Sequence, residues 1–495
     1  MSIKRSSGIL LPVSALPSNY GIGTFGKAAF EFVDFLKDAG QTWWQILPLS
    51  TTGYGNSPYQ SFSAFAGNPY LIDLDILIEQ NLLEKSEVLA IDFGDNPSRI
   101  DYGKLYEKRN SLLVLAAKRG LNQAQAEFRD FKVQNSDWLN DFAIFMVLKE
   151  KFNMVSWQDW TDFDLRNCHS ESVKRATELY QKEVEVICYI QFLFFQQWQR
   201  IREYATKCNV KILGDIPLYV SLDSADVWSN PKYFQLNDDR IPVEVSGVPP
   251  DYFTADGQLW SNPLYDWEKL HEENYSWWVD RISFSSKIYD ALRIDHFRGI
   301  ESYWSVPYGE KTAINGRWIQ GPGMDLISVL KAEFPEFIFV AEDLGYQTPE
   351  VQQLLADSGF PGMNVLQLAF DYRDSGNPLP HEYTRNSVCY VGTHDNAPIM
   401  LWKATAREQD IKNAQLYFGL NEQEGFNWGF IRAGLGSVSD LFVAQMQDYL
   451  GLAENSRINK PGIVADNWEW RLLENQLSTE LSKKIKMYTD MFGRT

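Results

Sequence analysis

Short apolar runs alternate with helix-like stretches along most of this chain, and that alternation leaves few folds open. Residues 43–49 read as a buried strand. They follow a helical stretch over 28–38, in which Ala29, Phe32, Val33 and Leu36 share a face and Gly40 supplies the stop. Further strand candidates are 70–74, 211–216, 291–294, 337–341, 364–370, 388–392 and 441–445. Eight such strands with helices between them predict an α/β fold, a (β/α)8 barrel. The spacing is uneven. A mostly helical insertion is expected over 75–210, after the second strand, and a Gly/Pro/Asp-rich one over 217–290, after the third. Long loops on a barrel tend to carry function. No linker or low-complexity run divides the chain, so residues 1–495 are expected to form one catalytic barrel with these insertions.

Barrel enzymes keep their chemistry at the C-terminal ends of the strands. Four of the candidates end in or beside an acid: Asp215, Asp295, Glu342 and Asp395. One acid after a strand is ordinary, since a strand must end in something polar; four on one barrel form a pattern. Cleaving a glycosidic bond needs two carboxyl groups in different states, one protonated and one ionised. Arg293 and Asp295 are two residues apart on a strand and so share a side, where the guanidinium would keep the carboxylate charged. Glu342 and Asp343 are adjacent, so only one of them can face the barrel axis, and alternation alone does not say which. His394 beside Asp395 is placed to donate to a hydroxyl.

The formal charge of −19 disfavours nucleic acid and anionic membranes as partners, whereas a neutral ligand meets no such repulsion. The 17 Trp, 24 Tyr and 30 Phe serve mainly a large core, yet flat rings are also good platforms for sugars. Cys168, Cys188, Cys208 and Cys389 make no C-x-x-C pair and no zinc spacing with histidine, so they read as free thiols in a reducing cytoplasm. The run 8–16 after Lys4 and Arg5 loosely imitates a signal peptide. It is short, broken by Pro12 and without a small-x-small cleavage site, so no leader is expected.

Several motifs occur in order: Gly-Tyr-Gly-Asn-Ser-Pro-Tyr-Gln-Ser (53–61), Gly-Asp-Ile-Pro-Leu-Tyr-Val (214–220), Gly-Val-Pro-Pro-Asp-Tyr-Phe (247–253) and Gln-Leu-Trp (258–260). Arg-Ile-Asp-His-Phe-Arg (293–298), Ala-Glu-Asp-Leu-Gly (341–345), Thr-His-Asp-Asn (393–396) and Asn-Trp-Glu-Trp-Arg (467–471) follow. Together they resemble the α-amylase clan of retaining glycosidases, and within it the amylomaltase family, glycoside hydrolase family 77. The resemblance implies transfer of an α-1,4-glucan segment to the 4-hydroxyl of another glucan or of glucose. Asp295 would be the nucleophile, Glu342 the general acid/base and Asp395 a third carboxylate gripping sugar hydroxyls. Tyr59, Asp215, Arg293 and His394 would line the donor site, with His296 beside the nucleophile. Tyr252, Phe253, Gln258 and Trp260, in a loop over 247–260, would cover the cleft and meet the acceptor. Ser57, Asp371 and Asn467 are implied by motif position alone.

Val220 stands where many α-amylases have a histidine, which fits the amylomaltase branch. No C-terminal β-sandwich is expected, and neither metal nor organic cofactor is called for. The partners implied are neutral maltooligosaccharides, starch or glycogen chains. An amylase-like hydrolase with the same carboxylates is the rival reading, and a non-catalytic glucan-binding barrel is a weaker one.

Overall fold

The computed structural model describes every residue except Met1, Ser2, Tyr54, Ala124, Gln125, Tyr252, Phe253, Tyr372, Asp374, Ser375 and Val464. Numbered in chain order, its strands are β1 (Ser6–Leu10), β2 (Trp43–Gln45), β3 (Lys211–Ile216), β4 (Glu244–Val248), β5 (Gln258–Pro263) and β6 (Ala291–Ile294). Then follow β7 (Ser302–Pro307), β8 (Arg317–Gln320), β9 (Ile338–Ala341), β10 (Gly362–Val365), β11 (Ser387–Tyr390) and β12 (Leu441–Gln445).

Eight of these form one parallel sheet in the order β10-β11-β12-β1-β2-β3-β6-β9. The sheet curls until its two ends meet. At the seam the Ala341 amide donates to the Pro361 carbonyl at 2.9 Å, and the Met363 amide donates to the Asp343 carboxylate at 2.7 Å. This is the (β/α)8 barrel expected from the alternation. Its strands are buried on both faces, as a parallel sheet sheathed in helices requires. After β12 the described residues form the helices Met446–Leu450 and Thr479–Met491 and no β-sandwich.

One strand was misplaced by sequence pattern. Residues 70–74 are not a strand: they hold the end of a 3-10 turn, Pro69–Leu71, and the start of a helix, Leu74–Glu79. The Asn68 side chain accepts from the Tyr70 amide at 3.0 Å and that of Asp73 from the Ile76 amide at 3.2 Å. Both are N-caps, and each diverts a short apolar run into a helical turn. The eighth strand is instead β1, within the run that imitated a leader. It lies between β12 and β2, with Ile9 and Leu10 fully buried.

The long segment between β2 and β3 is mostly helical and ends in the 27-residue helix Gln181–Lys207. Two buried glutamines of that helix clamp the loop that follows β2. Gln191 bonds both backbone groups of Gly67, at 2.8 and 3.0 Å, and Gln197 bonds both of Asp73, at 2.7 and 3.1 Å. A buried amide satisfied at both ends fixes position as well as adding stability. The residues between β3 and β6 are not simply a loop. They contribute β4 and β5 to a second, antiparallel sheet ordered β5-β4-β7-β8, whose other half comes from beyond β6.

Among the described residues, no helix is long and apolar enough to cross a membrane.

Candidate active site

Asp215 in β3 and Arg293 in β6 are register partners, so both side chains enter the barrel mouth together. The Arg293 Nη1 lies 2.9 and 2.8 Å from the two oxygens of Asp215 and 2.9 Å from Oδ1 of Asp295. Arg293 and Asp215 are buried, while the Asp295 carboxylate reaches the cleft. Burial opposes the Arg293 charge, but the flanking carboxylates outweigh it and hold the pKa well above the ordinary range. Burial pushes Asp215 up to about 7 against the pull of Arg293. Gly214 is required here, because a Cβ would sit 2.3 Å from the ring of Tyr289.

The ladder runs one step past each strand end. The Asp295 amide donates to Ile216 O at 2.9 Å, and the Glu342 amide donates to Ile294 O at 3.0 Å. The two carboxylates therefore stand on neighbouring strands at one level. His296 then takes a left-handed conformation, φ 54°, unusual for a residue with a side chain. That turn aims its amide at Glu342 Oε2, 2.7 Å away, while the Leu344 amide bonds Oε1 at 3.0 Å. The ambiguity between Glu342 and Asp343 is resolved physically: Glu342 faces the mouth, and Asp343 closes the barrel seam. Desolvation pushes Glu342 up to about 8; Arg293 pulls against this and the Asp295 charge adds to it. A carboxyl with that pKa is protonated at neutral pH, beside a second carboxylate held next to a guanidinium.

The opposite wall comes from loops after β2 and β11. Tyr59 donates its hydroxyl proton to Asp215 Oδ2 at 2.9 Å. His394 Nε2 lies 3.0 Å from that hydroxyl and 3.3 Å from Asp395 Oδ2. With the phenol proton given to Asp215, the His394 tautomer that carries its hydrogen on Nε2 completes the chain by donating to the Tyr59 oxygen. Burial lowers the pKa of the imidazole despite Asp395 and so keeps it neutral. The Tyr59 and His394 rings stack at 5.3 Å and 12°, with Trp468 packed 5.9 Å from the first and 6.0 Å from the second. Asn459 donates to Asp395 Oδ1 at 2.5 Å, and Arg457 donates to its carbonyl.

On the other side, Trp260 of β5 meets the His296 ring edge to face at 4.7 Å and takes a 3.3 Å bond to Gln258. Burial lowers His296 to about 3, so it too is neutral.

The remaining expected residues act at one remove or lie elsewhere. Ser57 Oγ accepts from the Tyr59 amide at 3.2 Å and shapes that loop. The Asn467 amide is spent on Lys460 and Ile463, bracing the loop that carries Asn459. Asp371 bonds Arg373 at 2.8 Å within its own loop. Tyr252 and Phe253 lie outside the described residues. Sequence reasoning missed Arg457 and Asn459, which meet Asp395 across more than sixty residues with no motif to mark them. Trp468 sat inside a recognised motif without a role.

Comparison with known proteins finds relatives over the whole chain. A family model described as 4-alpha-glucanotransferase matches residues 11–476. A 4-alpha-glucanotransferase of Clostridium butyricum is 49% identical over 485 residues, 97% of this chain and 99% of that one. One of Thermus thermophilus is 40% identical over 505 residues, covering 100% of both. The solved amylomaltase of Streptococcus agalactiae in complex with acarbose superposes with a TM-score of 0.96 at 38% identity, covering 99% of this chain and 100% of that one.

Proposed function

The chain belongs to the 4-α-glucanotransferase family, glycoside hydrolase family 77, and from that premise we propose how its own residues carry out the transfer. It moves an α-1,4-glucan segment from one chain to the 4-hydroxyl of another by retaining double displacement. Glu342 protonates the bridging oxygen as Asp295 attacks the anomeric carbon. The C1–O bond breaks, a C1–Oδ bond forms, and the shortened chain leaves with the proton. Glu342, now a carboxylate, takes the proton of an incoming 4-hydroxyl, whose oxygen displaces Asp295. Two inversions restore the α link.

What carries this reading is the difference in surroundings between two carboxyls on neighbouring strands: Glu342 desolvated and pushed up to about 8, and Asp295 held 2.9 Å from the Arg293 guanidinium. Asp395, braced by Asn459, grips the hydroxyls of the ring under attack. His394 and Tyr59 hold its other edge. Trp260 and His296 form the near wall of the acceptor site, where a positioned hydroxyl outcompetes water because oriented groups reach effective molarities of about 10⁵ M or more. Neutral glucans suit a chain of charge −19, and four unpaired thiols support a reducing, cytoplasmic setting.

The two roles separate on a maltooligosyl fluoride, whose leaving group needs little protonation. Glu342→Gln should still form a covalent glycosyl-enzyme, seen as a mass gain on the intact protein, and Asp295→Asn should not. The opposite pattern would exchange the roles.

A further inference from the structure

The proposed chemistry leaves one cluster beside Glu342 unused. Arg298 ends the motif that contains Asp295, and it is 4% exposed. Its Nη2 donates to Ser302 Oγ at 3.2 Å, but Nε and Nη1 have no protein partner among the described residues. What the guanidinium has instead is rings. Its central carbon lies 3.9 Å from the centre of the Trp318 ring and 5.8 Å from that of Tyr346. Trp318 and Tyr346 are themselves 6.4 Å apart with planes only 19° from parallel, and Trp304 braces Trp318 edge to face at 5.2 Å. Despite this scaffolding the two rings are open to solvent, Trp318 at 37% and Tyr346 at 66%. A buried cation thus holds two exposed rings in a fixed, near-parallel arrangement that faces water.

Their place in the fold links them to the proposed site. Tyr346 follows Glu342 by four residues, in the loop after β9. Trp318 is on β8, in the antiparallel sheet that also carries Trp260 on β5. The donor wall, Tyr59 with His394 and Trp468, rises from the loops after β2, β11 and β12. Trp260 and Trp318 thus stand on the two edge strands of one sheet, ordered β5-β4-β7-β8, and Tyr346 on the loop that begins at Glu342.

We propose that Trp318 and Tyr346 form a stacking platform for the distal glucose units of the acceptor chain, with Arg298 as the residue that positions the rings. The proposal rests on the transferase reading and adds acceptor length to it. A neutral sugar face suits it, since ring stacking needs no charge and the guanidinium is already taken up by the rings. Glucose, a one-unit acceptor, fills only the site by Trp260 and His296 and does not reach the platform. A maltotetraose acceptor does.

The test measures KM for maltotetraose and for glucose as acceptors with a common donor, in the wild type and in Tyr346→Ala, a change at an exposed ring. The ratio of the two KM values should rise about three- to tenfold, the range expected for losing one aromatic stack. Tyr346→Trp should restore it. Arg298→Lys should shift the same ratio in the same direction with little change in kcat, which a merely structural role would not do selectively. A ratio unmoved in Tyr346→Ala, or a KM raised equally for both acceptors, overturns the platform. If instead the wild type passes glucan to neither acceptor and only releases reducing ends, the transferase reading fails first, and the two failures stay distinct.

Discussion

On the proposed donor side of Glu342, charged groups and hydrogen bonds dominate: Arg293 grips Asp215 and Asp295, and Asp395 is held by Asn459 while His394 and Tyr59 bond one another. On the proposed acceptor side rings dominate: Trp260 on His296, and Trp318 and Tyr346 around Arg298. Among the described residues the first region is largely buried and closely hydrogen-bonded, whereas the rings of the second are half open. The difference follows from the two tasks. One glucose ring must be fixed and its anomeric carbon attacked, which calls for preorganised charge in a dry site. The other side must take many chains in turn, which calls for contacts that tolerate a hydroxyl pointing one way or another.

Breaking the charged side should cost most. Asp295→Asn should lower kcat by at least about 10⁴-fold on maltotriose while leaving thermal unfolding and glucan binding near wild type, since it removes the nucleophile and little of the packing. Substantial residual turnover would take Asp295 out of that role. Glu342→Gln should cost about 10²- to 10⁴-fold. In the wild type kcat/KM should fall as pH rises through about 8, where the acid loses its proton, and this limb should vanish in the variant. Stability should fall over the same rise in pH. The folded pKa of Glu342 lies above the ordinary value of 4.5, so its contribution is full below 4.5 and is lost as pH rises towards 8. Glu342→Gln should therefore unfold at a higher temperature than wild type at pH 8, with the gap closing at low pH; a gap that does not depend on pH would contradict the shifted carboxyl.

Asn459→Ala sharpens the comparison, because it loosens Asp395 without touching a carboxylate. A hydrogen bond to a charged group is worth roughly 1.5–3 kcal/mol, so kcat should drop about ten- to a hundredfold. Trp260→Ala tests the ring side. It should change kcat less, yet raise the ratio of hydrolysis to transfer about three- to tenfold, read as reducing ends released per transfer event.

The legible part of this molecule was the part encoded locally. The apolar runs at β3, β6, β9, β11 and β12 announced their strands, and the acids at or beyond the first four marked the mouth. The run at 70–74 was indistinguishable from a strand by its apolar content, and only the capping residues Asn68 and Asp73 betrayed it. β1 went unread because its apolar run follows Lys4 and Arg5 and so imitated a leader. What joined distant segments had no local signal at all. The small sheet assembles from two separate insertions, and Asn459 reaches Asp395 through tertiary packing alone. The division between Glu342 and Asp343 needed the barrel seam, which pattern does not show.

The most direct measurement is incubation of the protein with maltotriose alone, following the product ladder and the total of reducing ends together. Transfer between a charged donor wall and a ringed acceptor wall predicts glucose plus a series of longer chains, with reducing ends constant. Only shorter products, with reducing ends rising, would contradict it: water would then be the acceptor, and the ring-lined side would not be what selects a glucan.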